Sequence, residues 1–315
     1  MAASRTDPTQ SSQPIRGYLF VVIAVVFWAG SASVAKIMFQ TRFDALIVTQ
    51  MRTSLSFLML ALFFALTNRP MFKIAWRLVP ALAIVGVFGV AATNFSYYYT
   101  VEHATIATAI LIQNTAPVLV ALYLGFITKE ESFTRLKAVA LVLALGGCYL
   151  AVTGGGSLDL HLTGWTRVTA FAASFCYAFQ LIYSKRLLRT VPVWTFLMYA
   201  FGFAGAFWLF INPPWAIAAK HYSSGDWGVL LFFAVFSILI PHSLLVSALK
   251  LLEASRVAIV TTLEPFLAIL FAYIIVGESI GVVQVIGGIA IISAVVLLQL
   301  RPHQYLKKLR SVSAH

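Results

Sequence analysis

The stretch Thr261-Thr262-Leu263-Glu264-Pro265-Phe266-Leu267, continuing to Val276-Gly277-Glu278, decides the fold because the chain contains it twice. Its earlier copy runs from Gln113-Asn114-Thr115-Ala116-Pro117 to Thr128-Lys129-Glu130, with Leu119/Leu267, Leu122/Leu270 and Ile127/Ile275 in register at a constant offset of 148 residues. In each copy a proline sits inside an apolar run and a glutamate stands just past the end of that run, thirteen residues on. A chain assembled twice over from such runs is read as an internal duplication of membrane-spanning helices.

Composition supports that reading. Hydrophobic residues make up 61% of the 315, charged residues only 10%, and the mean hydropathy is +0.91. Soluble domains carry roughly 25% charged residues, so this chain lacks the polar surface for water. Apolar runs of about 20 residues, the length that crosses hydrocarbon as a helix, recur throughout. They are continuous rather than alternating, which excludes a barrel. The expected spans are 17–38, 45–67, 76–99, 104–127, 134–153, 165–187, 193–211, 228–250, 255–276 and 279–300. The fold class is therefore an all-α polytopic membrane protein, with ten transmembrane helices in two five-helix repeats. Residues 1–15 read as a disordered tail, 16–153 as the first repeat, 154–163 as a Gly-rich connection, 164–300 as the second repeat and 301–315 as a basic tail.

The net charge of +12 belongs to membrane topology rather than to nucleic acid. With the N-terminus inside, seventeen Lys and Arg fall in cytoplasmic segments, against four (Lys36, Arg42, Arg167, Lys220) on the other side. That is the asymmetry of a multi-pass membrane protein with both termini cytoplasmic. Trp28-Ala29 with Lys36 matches Tyr177-Ala178 with Lys185 one repeat later. Five spans is an odd number, so the second copy enters the membrane from the opposite face, as in alternating-access carriers whose substrate sits between the copies. Cys148 and Cys176 both fall in apolar runs and read as buried thiols.

These residues together resemble the drug/metabolite transporter superfamily, in its ten-span branch with two EamA domains. Trp28-Ala29, Arg52, Pro117 with Glu130, Leu263-Glu264-Pro265, Gly277-Glu278 and Gly287-Gly288 carry the resemblance, which covers about residues 17–300. The first copy departs from the pattern in reading Lys129-Glu130-Glu131, without the glycine. The resemblance implies carriage of small metabolites, commonly export of amino acids and related compounds.

Polar groups at membrane depth are costly and mark candidate sites. Glu264, near mid-span, fits proton coupling or a counter-charge for a substrate ammonium; the plainer role is a buried structural acid. Arg52 fits a carboxylate ligand, a partner of Glu264, or an interfacial anchor that snorkels. His242 is either structural or a titrating partner. Gln113 and Asn114 precede Pro117, and the proline removes a backbone donor one turn on, so a substrate site and a helix–helix staple are both open. Pro117 and Pro265 are the expected hinges. Asn94 and Tyr98 share a face, and Trp28, Tyr177 and Gln180 suit cavity walls. Glu130 and Glu278 are expected as structural caps at helix starts.

The expected function is an inner-membrane secondary transporter, an exporter of a small amphipathic metabolite such as an amino acid, possessing no cofactor or metal and working as a monomer or homodimer. Proton coupling would run through Glu264. The alternatives are uptake of a vitamin- or nucleoside-like metabolite and, from another class, a lipid flippase or membrane enzyme. The chain lacks H-E-x-x-H, G-x-S-x-G and a Cys/His cluster, and a single intramembrane Arg is a poor path for lipid headgroups.

Overall fold

The computed structural model describes residues 8–156, 162, 164–271, 273, 274 and 279–299, and all regular structure among them is helical. In chain order the long helices are α1 (Pro8–Phe39), α2 (Ala45–Thr67), α3 (Trp76–His103), α4 (Ile106–Ile127), α5 (Arg135–Thr153), α6 (Gly164–Leu187), α7 (Val193–Ile211), α8 (Ser224–Leu251), α9 (Ala254–Phe271) and α10 (Val282–Gln299). Nine of these, all but α6, have segments long and apolar enough to cross a membrane. The protein is a multi-pass, all-α membrane protein.

Helix α6 differs for a physical reason. Its 24 residues rise about 36 Å at 1.5 Å each, so length is not the obstacle. It carries Thr166, Thr169, Ser174, Gln180 and Ser184, all buried in the bundle, and ends on Lys185 and Arg186. A helix that spends its polar face on its neighbours has a low average hydropathy whatever its position.

Residues from Pro8 onward belong to α1. Proline suits a first helical turn, because the N–H it lacks would have no partner there.

The pairing of helices is the same after the halves are exchanged. Contacts between α1 and α8 are matched by those between α6 and α3, and contacts between α4 and α6 by those between α9 and α1. The pairs α2–α7 and α5–α10 map onto themselves. Each half also carries the same local devices. Lys36 of α1 donates to the carbonyls of Val101 (2.6 Å) and Ala104 (2.9 Å) at the end of α3. Lys185 of α6 donates to the carbonyls of Leu249 and Leu252 at the end of α8, positions displaced by 148 in each case. A cation there satisfies carbonyls that have no intrahelical partner and meets the negative end of the helix dipole.

The α5–α10 seam depends on glycine. A Cβ at Gly147 would lie 2.6 Å from the Gly287 carbonyl oxygen, and one at Gly287 would lie 2.5 Å from the Ala151 nitrogen. Backbones this close allow dense packing in a medium where apolar burial alone gives helices no reason to associate. Gly147→Leu should therefore force the helices apart and cost about 1–3 kcal/mol, read as a lower Tm of the purified protein. An unchanged Tm would show that the seam is not a structural contact.

Candidate functional site

Helix α3 is wound as a π-helix over Val85–Ala91, and three further helices lose their regular winding where they approach the centre. α4 breaks between Gln113 and Ala116, and α9 breaks between Thr261 and Glu264, again at equivalent positions. Each break stands just before its proline, which supplies no N–H to the carbonyl four residues back, Gln113 in one half and Thr261 in the other. Side chains at each break turn back onto the preceding helix. Asn114 Nδ2 donates to the Ile110 carbonyl at 2.9 Å, and Thr262 Oγ1 donates to the Ile259 carbonyl at 2.7 Å. Helix α8 is wound as a π-helix over Val235–Leu239, an irregularity that frees carbonyls within a helix and often accompanies functional sites. The Ser237 carbonyl inside it accepts from Trp28 Nε1 (3.2 Å) and from Arg52 Nη2.

These irregularities surround one cavity at the junction of the two halves. Its walls include Trp28, Arg52, Asn94, Tyr98, Gln113, Tyr177, Gln180, His242 and Glu264. Of the ten residues expected to bind substrate or couple transport, only Asn114 is absent from that wall, because its amide is turned to the carbonyl of its own broken helix. Ser31, Thr93 and Tyr97 also line the cavity and were missed. Ser31 lies one turn from Trp28 and Tyr97 one turn from Asn94, so helical spacing would have pointed to both.

Arg52 is buried at 2% exposure, which rules out an anchor that snorkels to the interface. Its guanidinium donates through Nη1 to Asn94 Oδ1 at 3.1 Å and lies 4.5 Å from the Tyr98 ring centre and 5.4 Å from that of Phe233. Asn94 is fixed in turn by donating to the Val90 carbonyl at 2.7 Å. Glu264, at 6% exposure, begins the second half of α9 and accepts a hydrogen bond of 3.5 Å from the Tyr97 hydroxyl. Among the described residues, Arg52 and Glu264 form no ion pair with each other. A guanidinium and a carboxyl group thus border one cavity, each held from behind and not paired with the other.

Other polar atoms here are buried without partners: Arg52 Nε, Thr93 Oγ1, Gln113 Oε1 and Gln180 Oε1. Buried polar atoms are normally paired, and these four exceptions gather around one cavity. Trp28 and Tyr177 meet edge to face at 6.5 Å, and Trp28 and His242 at 5.4 Å, giving an aromatic wall. The space open to a water-sized sphere is about 40 Å³, enough for roughly three waters, so the surrounding helices must part before a solute enters. Pro117 is buried in the core. Pro265 borders a different, mainly apolar groove with Ile106, Ile110 and Ile269.

The glutamate caps turn out differently. Glu278 lies outside the described residues. Among the described residues Glu130 caps no helix: Thr134 caps α5 through its side chain, while Glu130 binds Arg186 (2.6 Å) and Arg189 (3.2 Å) from the end of α6. Its neighbour Glu131 does the capping, accepting from the Ala254 N–H at 2.8 Å and from the Ser255 hydroxyl at the start of α9. Lys137 joins Glu131 (3.1 Å) to Glu253 (3.0 Å), and Glu253 holds Arg256 at 2.8 Å. The unusual pair Glu130-Glu131 is thus divided between two helix ends of the second half. At the opposite end of the bundle the ties are Arg42–Asp226 (2.9 Å) and Lys220–Asp44 (3.5 Å).

The hydrogen bonds and charge of Arg186 hold Glu130 below its ordinary carboxylate value of 4.5. A folded-state value below the unfolded one stabilises above the unfolded value, and that contribution is lost as pH falls through the folded one. The pair is partly exposed, so the effect is small. Wild-type Tm should fall more steeply below pH 4.5 than that of Glu130→Gln; parallel curves would remove Glu130 from the stability account.

The chain matches the description "EamA-like transporter family" over residues 15–153 and again over 164–300. It is 24% identical over 290 residues to "Uncharacterized inner membrane transporter YicL" of Salmonella typhimurium, covering 90% of this chain and 95% of that one. It is 28% identical over 286 residues to "Threonine/homoserine exporter RhtA" of Escherichia coli, covering 88% of each. A solved protein crystal structure superposes with a TM-score of 0.70 at 16% identity, over 90% of this chain and 96% of that one, a likeness of fold alone. With both halves matched, the chain belongs to the EamA-like transporter family, within the drug/metabolite transporter superfamily that its motifs resemble.

Proposed function

We propose that the chain is an inner-membrane secondary carrier that exports a small zwitterionic metabolite, an amino acid or a close relative, by alternating access. The observation that carries this reading is the cavity bordered by Arg52 and Glu264, which do not pair with each other. A zwitterion supplies both missing counter-charges at once: its carboxylate meets the free Nε donor of Arg52, and its ammonium meets Glu264. Trp28, Tyr98 and Tyr177 give the apolar part of the solute an aromatic wall, and Gln113 and Gln180 offer it hydrogen bonds. Loss of a fixed internal charge costs far more in a low-dielectric site than in water, so a solute with one charge leaves the other residue unmatched.

Ten spans in two inverted repeats, with both termini cytoplasmic, form the frame for the cycle. The breaks before Pro117 and Pro265 act as hinges, and the halves rock about the central site. Proton exchange at Glu264 supplies the driving force. Export is favoured by the likeness to the threonine/homoserine exporter over nearly its whole length. Metabolite profiles inside and outside cells that lack or overproduce the protein test the reading. Overproduction should raise one or a few amino acids outside and lower them inside, and the reverse shift would establish uptake.

A further inference from the structure

A second pocket, well away from the central cavity, lies at the end of the bundle where α1 begins and α8 finishes. Its lining is Arg16, Phe20, Val193, Ser247, Lys250 and Leu251, and its volume is about 240 Å³. We propose that it binds the phosphate headgroup of an anionic phospholipid from the adjoining leaflet.

The argument begins with charge. Most basic side chains at the helix ends are occupied: Arg42 with Asp226, Lys137 with Glu131 and Glu253, Arg186 and Arg189 with Glu130, and Arg256 with Glu253. Lys36 and Lys185 are spent on helix-end carbonyls. Arg16 and Lys250 are exposed, and among the described residues neither has an acidic partner, yet both face the same pocket. Two cations gathered without a carboxylate repel each other, and an anion between them reverses the sign of the interaction.

Packing provides the second part. Gly17, next to Arg16, lies so close to α8 that a Cβ there would stand 2.7 Å from Leu252 Cγ and 3.2 Å from Leu251 Cβ. That approach brings the Arg16 and Lys250 backbones to one rim. Below the rim, Phe20, Val193 and Leu251 form an apolar floor suited to the glycerol backbone and first acyl carbons, whereas free phosphate has nothing to offer it. Basic pockets between helices at the membrane surface bind anionic headgroups by this combination. The pocket takes α1 from the first half and α7 and α8 from the second, so the lipid would tie the two halves together at this end.

The test is native mass spectrometry of the full-length protein with phosphatidylglycerol or phosphatidylcholine added at matched concentrations. At about fivefold per cation near the surface, the wild type should prefer phosphatidylglycerol by roughly 30-fold at one site. Arg16→Gln combined with Lys250→Gln should erase the preference. Lys73→Gln with Arg77→Gln, which alters two other exposed basic residues outside the pocket, should leave it intact. Millimolar inorganic phosphate should not displace the bound lipid. The proposal is overturned if the wild type shows no preference, if the first double variant keeps it, if the second loses it equally, or if inorganic phosphate competes.

Discussion

Glu264→Gln should abolish uphill, pH-gradient-driven transport in proteoliposomes while leaving Tm close to wild type. Glutamine has nearly the same shape as glutamate and still accepts from the Tyr97 hydroxyl, so the local packing survives. What disappears is the carboxylate's charge and its capacity to take up and release a proton. A hydrogen bond to a charged group is worth about 1.5–3 kcal/mol, so affinity for an ammonium-bearing solute should also fall by roughly 10–100-fold. Tyr97→Phe removes only the hydroxyl and should have a milder effect, weakening binding without ending coupling. Wild-type accumulation by Glu264→Gln would sink the proposed role of this residue, and a large fall in Tm would assign it to structure.

Arg52→Leu should eliminate transport and destabilise the protein together. The guanidinium serves the Asn94 side chain and the Ser237 carbonyl and stacks on two rings; without it the buried Asn94 oxygen is orphaned at about 1–3 kcal/mol, while the Ser237 carbonyl keeps its bond from Trp28 Nε1. Arg52→Lys separates charge from geometry. An ammonium keeps the positive charge but cannot make the planar fork, so residual transport with weaker substrate binding is expected. Equal activity of Arg52→Lys and wild type would contradict a role for the planar fork in substrate binding.

Much of the site was legible because burial of polar groups in a membrane helix is costly enough to be informative at single positions. Arg52, Glu264, His242, Gln113 and Gln180 were noticeable against an apolar background, and the cavity holds all five. Asn114 was not separable from Gln113 in this way, because an amide beside a helix break can serve either a ligand or the break. Its bond to the Ile110 carbonyl is a matter of side-chain direction that spacing does not encode. The division of labour between Glu130 and Glu131 depends on the path of a short connection, and adjacent carboxylates look alike in the chain. The π-helical winding at Ser237 left no mark in residue type, although it supplies the carbonyl that orients both Trp28 and Arg52. Lys36 and Lys185 were visible as repeat markers. Their work as clamps on α3 and α8 emerged only when the second members of each pair were placed.

The duplicated architecture gives these parts a common logic. Equivalent lysines fix α1 to α3 and α6 to α8, while α4 and α9 carry the breaks before their prolines and α3 and α8 carry π-helical turns. The ties at the two ends of the bundle differ in burial. Lys137 and Glu131 are 5% and 10% exposed at one end, whereas Lys220 and Asp44 are 50% and 42% exposed at the other. Exposed pairs contribute little, so the end held by Arg42 and Lys220 should open more readily. In the proposed orientation this is the outer face, the face from which an exporter releases its cargo.

The most direct measurement of the central claim is counterflow in proteoliposomes, using a labelled amino acid identified by the metabolite profiles and three unlabelled competitors. These are the parent zwitterion, its methyl ester, which keeps the ammonium alone, and its N-acetyl derivative, which keeps the carboxylate alone. The two-charge cavity predicts exchange with the zwitterion and almost none with either derivative. Exchange of all three at similar rates would contradict it.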